Sequence, residues 1–232
     1  MQRLLGLLLL VGCGEIDQVR HLPDAPLPPD AGAVNDAPGA QIVFDSGFEG
    51  GIPPTLSVGS GVLTPSQGYE PLGPPGPRTF GPTFLRSPTG NVITMTLTGL
   101  PPHTKLTIGF LFAAIDSLDG TGTFPAGDYM RIALDGTQIF RESFFNADPV
   151  LQTQSYIAPP GGELARRIDL GFGGPGGFYT DSAYDMGVDP RFQNLPHTGA
   201  TATIEFTLEG EGVQTLDDES WAIDDLSIIA IQ

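Results

Sequence analysis

Residues 91–115 read NVITMTLTGLPPHTKLTIGFLFAAI, and this stretch decides the fold class. Its first part, Asn91 to Thr98, alternates apolar and polar side chains, the period of two that a strand shows when one face is buried. Lys105 to Ile115 starts with the same alternation and then becomes wholly apolar, as a strand covered on both faces does. Between them Gly99-Leu100-Pro101-Pro102 can prolong neither strand and predicts a turn.

Downstream, Tyr129 to Leu134 and Thr137 to Phe140 flank Asp135-Gly136, the residue pair of a type I′ hairpin turn. Ala200 to Leu208 (ATATIEFTL) and Trp221 to Ile231 (WAIDDLSIIAI) supply two more strands, and Trp221 reads as a core residue. Upstream, Gln41 to Glu49 (QIVFDSGFE) opens the domain as a short strand running into a turn. Gly50 to Pro88 is rich in Gly, Pro and Ser, and predicts loop with short edge strands. No stretch carries sustained helical periodicity. The expected architecture is all-β: a jelly-roll-like β-sandwich of antiparallel strands over residues 41–232, with long Gly/Pro-rich loops.

The 32 Gly and 23 Pro favour loops, yet 14 Phe and a 40% hydrophobic content supply a real core. Ten basic residues against 27 acidic ones give a formal net charge of -17, which provides no track for phosphates and excludes nucleic acid as a partner.

The first forty residues differ from the rest. Met1-Gln2-Arg3 is a short basic head, and Leu4 to Val11 is an apolar run too short to span a bilayer, so residues 1–12 read as a signal peptide. The run ends in Leu10-Val11-Gly12-Cys13, which resembles the lipobox of bacterial lipoproteins, and Cys13 is the only cysteine in the chain. That resemblance implies lipidation at Cys13, attachment to a membrane through the lipid, and a place in the cell envelope on the periplasmic or cell-surface side. Residues 13–40 then form a tether in which Asp-Ala-Pro recurs without apolar periodicity, a composition that remains disordered.

Several pieces of the domain resemble a jelly-roll module common in exported bacterial proteins. They are Leu100-Pro101-Pro102-His103, Ile115-Asp116-Ser117-Leu118-Asp119-Gly120, Gly127-Asp128-Tyr129, Tyr184-Asp185-Met186, Leu195-Pro196-His197-Thr198 and Asp218-Glu219-Ser220-Trp221-Ala222-Ile223-Asp224-Asp225. The sequence departs from that module at Leu118, where the module has Trp, and at Ala222, where the module has Gly. The module is in turn similar to galactose-binding-like carbohydrate modules, in which a calcium ion ties the first strand to the last. The resemblance implies that Glu49 and Asp225 share such an ion, with Asp45 as a replacement ligand.

Acids placed on loops support the same chemistry. Glu209, Glu211, Asp217, Asp218, Glu219, Asp224 and Asp225 crowd the start of the last strand, and a hard divalent cation relieves such repulsion. Asp116, Asp119 and Asp128 form a second candidate metal loop or polar rim at the end of a central strand, set against the alternative of turn-forming aspartates. His103 and His197 have no zinc spacing and read as loop side chains. Phe172, Phe178, Tyr179 and Tyr184 are candidates for stacking on sugar rings; exposed they favour binding, buried they favour a structural role. No catalytic motif frames any carboxylate pair, so an enzyme acting on polysaccharide ranks last. The sequence thus points to a membrane-anchored, calcium-stabilised, non-catalytic module for a glycan or a surface protein, with a ligand-free structural envelope lipoprotein as the alternative.

Overall fold

The computed structural model describes residues 39–75, 78–121, 127–146, 153–173, 179–210 and 214–232, so Cys13, most of the tether and Phe178 lie outside the described residues. The described strands form two antiparallel sheets. The larger contains β1 (Ala40–Ser46), β3 (Val62–Pro65), β4 (Thr83–Pro88), β6 (Lys105–Asp116), β9 (Glu163–Ile168), β10 (Asp181–Asp185), β11 (Leu195–Pro196) and β13 (Glu219–Ile231). The smaller contains β2 (Leu56–Ser57), β5 (Val92–Thr98), β7 (Tyr129–Leu134), β8 (Thr137–Ser143) and β12 (Thr201–Glu209), in the order β2-β5-β12-β7-β8.

The long pair β6–β13 is the spine of the larger sheet. Each of its outer edges is shared by two strands: β4 pairs Ser220–Ile223 and β1 pairs Leu226–Ile231 along β13, while β10 and β11 divide β6. The changeover on β13 falls at Asp224 and Asp225, where the register with β6 slips and Asp225 takes a φ of 47°. A bulge of this kind twists the strand and redirects its side chains.

Period two explains the core. Leu106, Ile108, Phe110, Phe112 and Ala114 of β6 face the smaller sheet and meet Ile93, Met95, Ile132, Ile204 and Phe206, all fully buried. The alternate residues Leu111, Ala113 and Ile115 face the other way, under a second apolar cluster built from Tyr69, Phe80, Phe84 and Phe172. That second cover is why β6 is apolar on both faces. Trp221 is fully buried, and its Nε1 donates to the Pro88 carbonyl at 3.2 Å.

The expected hairpin is present, with Asp135 at φ 49° and Gly136 at φ 75°, both positive as the I′ turn requires. The expectation for residues 50–88 needs correction. Short edge strands β2 and β3 occur there, but β4 lies between β3 and β13 with most of its residues buried. Tyr69 and Phe80, from the loops, are buried at 0% and 1% exposure and roof the larger sheet.

Candidate functional site

At the seam where β13 changes partners, the expected ion between Glu49 and Asp225 is not what the side chains build. Arg78 reaches in from the loop before β4, and its Nε donates to Asp225 Oδ2 at 2.6 Å. Its Nη1 lies 3.5 Å from Asp185 Oδ1. Burial and then Asp225 push the Asp45 carboxyl above the usual carboxylate range, while the Arg78 guanidinium lowers it. Glu49 turns instead toward Gly81, whose N–H donates to Asp224 Oδ2 at 2.8 Å. A calcium shared by Asp45, Glu49 and Asp225 would have to compete with a guanidinium that already supplies positive charge there and occupies Asp225 Oδ2.

The second expected set, Asp116, Asp119 and Asp128, is divided. Asp116 ends β6 with a φ of 65°, a strained conformation for a residue with a side chain. Its Oδ2 accepts from Arg86 Nη2 at 3.3 Å. Arg86, on β4, also donates to Ser220 Oγ at 2.9 Å and to the Leu216 carbonyl. Burial pushes the Asp116 carboxyl up to about 6, against the lowering effect of Arg86. Asp116 Oδ1 is buried and, among the described residues, has no hydrogen-bond partner. Together with Gln67, Gly171, Phe172, Gly173 and Asp217, this ion pair lines a polar cleft of about 190 Å³.

Asp119 and Asp128 do meet, and the third acid with them is Glu219 rather than Asp116. One carboxylate oxygen from each of the three lies within 4.8 Å of the others. Asp128 Oδ2 accepts the Asp119 N–H at 2.5 Å. Sequence reasoning placed Glu219 in an acidic run but not at this site, because the register that sets Glu219 opposite Asp116 joins strands about a hundred residues apart. Arg78 and Arg86 were missed for a similar reason: both lie in a stretch that reads as loop.

The stacking-platform expectation is corrected for two of the aromatics. Phe172 is 4% exposed, with Phe84 stacked at 5.7 Å and the Arg86 guanidinium 4.4 Å from its centroid. Tyr184 is fully buried, against Phe112, Phe144 and Tyr156. Neither has a free face for a sugar ring. Tyr179 is half-buried and its hydroxyl donates to Asp218 Oδ1 at 3.0 Å. At the opposite end of β6, His103 and His197 stack with Nε2 and Nδ1 at 2.7 Å, and His197 Nε2 lies 3.1 Å from Asp135 Oδ2. A shallow groove of about 430 Å³, lined by Pro54 to Ser57 with Thr94, Thr96 and Thr98, runs along the smaller sheet.

No protein-family profile matches the chain, and no curated protein does. Among solved structures, 84% of the chain overlays the Agl-KA catalytic domain with a TM-score of 0.36 and 14% identity, spanning only 29% of that protein. A family 51 carbohydrate-binding module of Clostridium perfringens, solved with methyl-galactose, overlays 80% of the chain and 99% of its own, with TM-score 0.36 and 13% identity. A family 35 carbohydrate-binding module from Clostridium thermocellum overlays 76% of the chain and 93% of its own, with TM-score 0.31 and 14% identity. Likenesses this loose assign the chain to none of these families.

Proposed function

We propose that the chain is a non-catalytic extracytoplasmic binding module, attached to a membrane through lipid on Cys13, whose polar cleft at Arg86 and Asp116 takes a neutral glycan. The observation that carries the reading is the Asp116 carboxylate: buried, strained in its backbone, and with one oxygen lacking a protein donor at a cleft wall. A buried acceptor without a partner costs about 1–3 kcal/mol, more when it is charged, and a ligand hydroxyl that reaches it through a small rotation of the Asp116 carboxylate into the cleft would satisfy it. Gln67 and Arg86 add donors beside it. A hydroxyl-rich neutral ligand suits this mixture of donor and acceptor, whereas a polyanion would meet Asp116 and Asp217.

The carboxylates that a hydrolase would need in concert instead have separate partners, Asp116 on Arg86 and Asp128 on the Asp119 N–H, which supports a binding role. Burial of Phe172 and Tyr184 favours the structural alternative. The two readings separate on a glycan array probed with the full chain and with Asp116→Asn, which keeps the shape and removes the charge. The binding reading expects saturable binding to a neutral glycan and at least tenfold weaker binding by the variant. Absence of binding across the array returns the structural reading, and equal binding by the variant places the glycan away from the cleft and overturns the site.

A further inference from the structure

Asp119 and Asp128 come from the connection between β6 and β7, and Glu219 is the first residue of β13. Glu219 is 7% exposed, and among the described residues no hydrogen bond or ion pair reaches its carboxylate. Asp128 is 2% exposed, and the hydrogen bonds that reach its side chain come from backbone N–H groups, with no cationic side chain paired to it among the described residues. Burial pushes the Glu219 carboxyl up to about 8, with Asp128, Asp119 and Asp218 adding to the rise. Burial likewise pushes Asp128 up to about 7. A nearly enclosed glutamate aimed at two aspartates, with no donor of its own, is a costly arrangement for the protein alone.

We infer that Asp119, Asp128 and Glu219 hold a divalent cation, calcium in preference to magnesium, that clips the β6–β7 connection to the start of β13. The donors are all carboxylate oxygens, which suit a hard ion. Calcium takes irregular shells of oxygens at about 2.3–2.6 Å, whereas magnesium demands a near-octahedral shell at about 2.0–2.1 Å and keeps several waters. One oxygen of each acid lies within 4.8 Å of the others, so a single ion can touch all three, and the burial of Asp128 and Glu219 favours the ion that sheds its water more readily. Three carboxylates also leave room in a shell of about 6–8 oxygens for carbonyls and water. The site differs from the seam at Asp225, where Arg78 stands in for an ion, and it does not depend on the cleft's taking a sugar.

The test is a calcium titration of the metal-stripped full chain by calorimetry at pH 7.5, with thermal unfolding of the same samples. Wild type should bind one calcium per chain, melt several degrees higher with it, and respond less to equal magnesium. Glu219→Gln should weaken calcium binding at least tenfold. Its metal-free form should melt higher than metal-free wild type, because an amide needs neither the proton uptake nor the charge burial that the carboxyl costs on folding; a merely structural glutamate would not give both effects. Asp225→Asn should keep the calcium affinity. If Glu219→Gln does not fold, Asp128→Asn reads the same loss of affinity. No calcium binding by wild type, unchanged affinity in the variants of this triad, or loss confined to Asp225→Asn would overturn the assignment.

Discussion

Gly81 shows how the surroundings of a single residue decide what a substitution does. A Cβ there would overlap Glu49 Oε1, while the Gly81 N–H holds Asp224, whose carboxyl burial pushes up to about 7. Gly81→Ala should therefore displace the exposed, flexible Glu49 carboxylate and cost no more than about 0.5 kcal/mol, the usual range for a surface substitution. Denaturant unfolding of Gly81→Ala, Glu49→Ala and the double variant checks this: the double variant should be no less stable than Glu49→Ala alone, because removing the glutamate removes the overlap. Arg78 is the second such residue. Arg78→Met would leave Asp185 and Asp225 facing each other without a cation, a loss of about 1–3 kcal/mol. That range is below the figure for a fully enclosed pair because Arg78 keeps 31% of its side chain exposed.

At the scale of elements, strands with one buried face were legible in the sequence, because alternation survives wherever water covers one side. Thus β5, β7 and β12 fall within a residue or so of their expected bounds. The hairpin between β7 and β8 was legible from two letters, and Gly136→Ala should cost about 1–2 kcal/mol in a thermal melt, since a residue with a Cβ resists the φ of 75° held there. By contrast β4 and β10 were not legible. Strand β10 (DSAYD) is entirely buried yet half polar, and its Asp181 is held by the N–H groups of Leu170 and Asp116 at 2.9 and 3.2 Å. Apolar periodicity cannot reveal a strand whose polar residues are satisfied by distant chain. The same limit governs the site: acids at Asp119 and Asp128 could be read, but the choice between Asp116 and Glu219 as their companion depended on register.

Across the whole molecule, the buried acids make a prediction about pH. Burial pushes Asp128, Asp181 and Asp224 up to about 7 and Glu219 up to about 8, so the folded protein holds protons that the unfolded chain has released. Stability of the metal-free protein must then fall as pH rises from about 4, where unfolded carboxyls ionise, to about 8, where the folded ones have. Calcium should reverse the trend at its own site, because it binds the ionised forms and its affinity rises with pH. Urea unfolding at pH 5 and pH 8, each with chelator and with calcium, checks both signs: chelated protein should be more stable at pH 5, and the stabilisation by calcium should be larger at pH 8.

The central claim concerns where a ligand sits, and it is tested most directly by an NMR titration of the full chain with a neutral glycan that the array retains. A glycan in the cleft should give shifts that saturate at the backbone amides of Gln67, Gly171 and Gly173 and at the side-chain Nε–H of Arg86, with at least tenfold weaker saturation in Asp116→Asn. Shifts confined to the threonine groove at Thr94, Thr96 and Thr98, with the cleft silent, would contradict it.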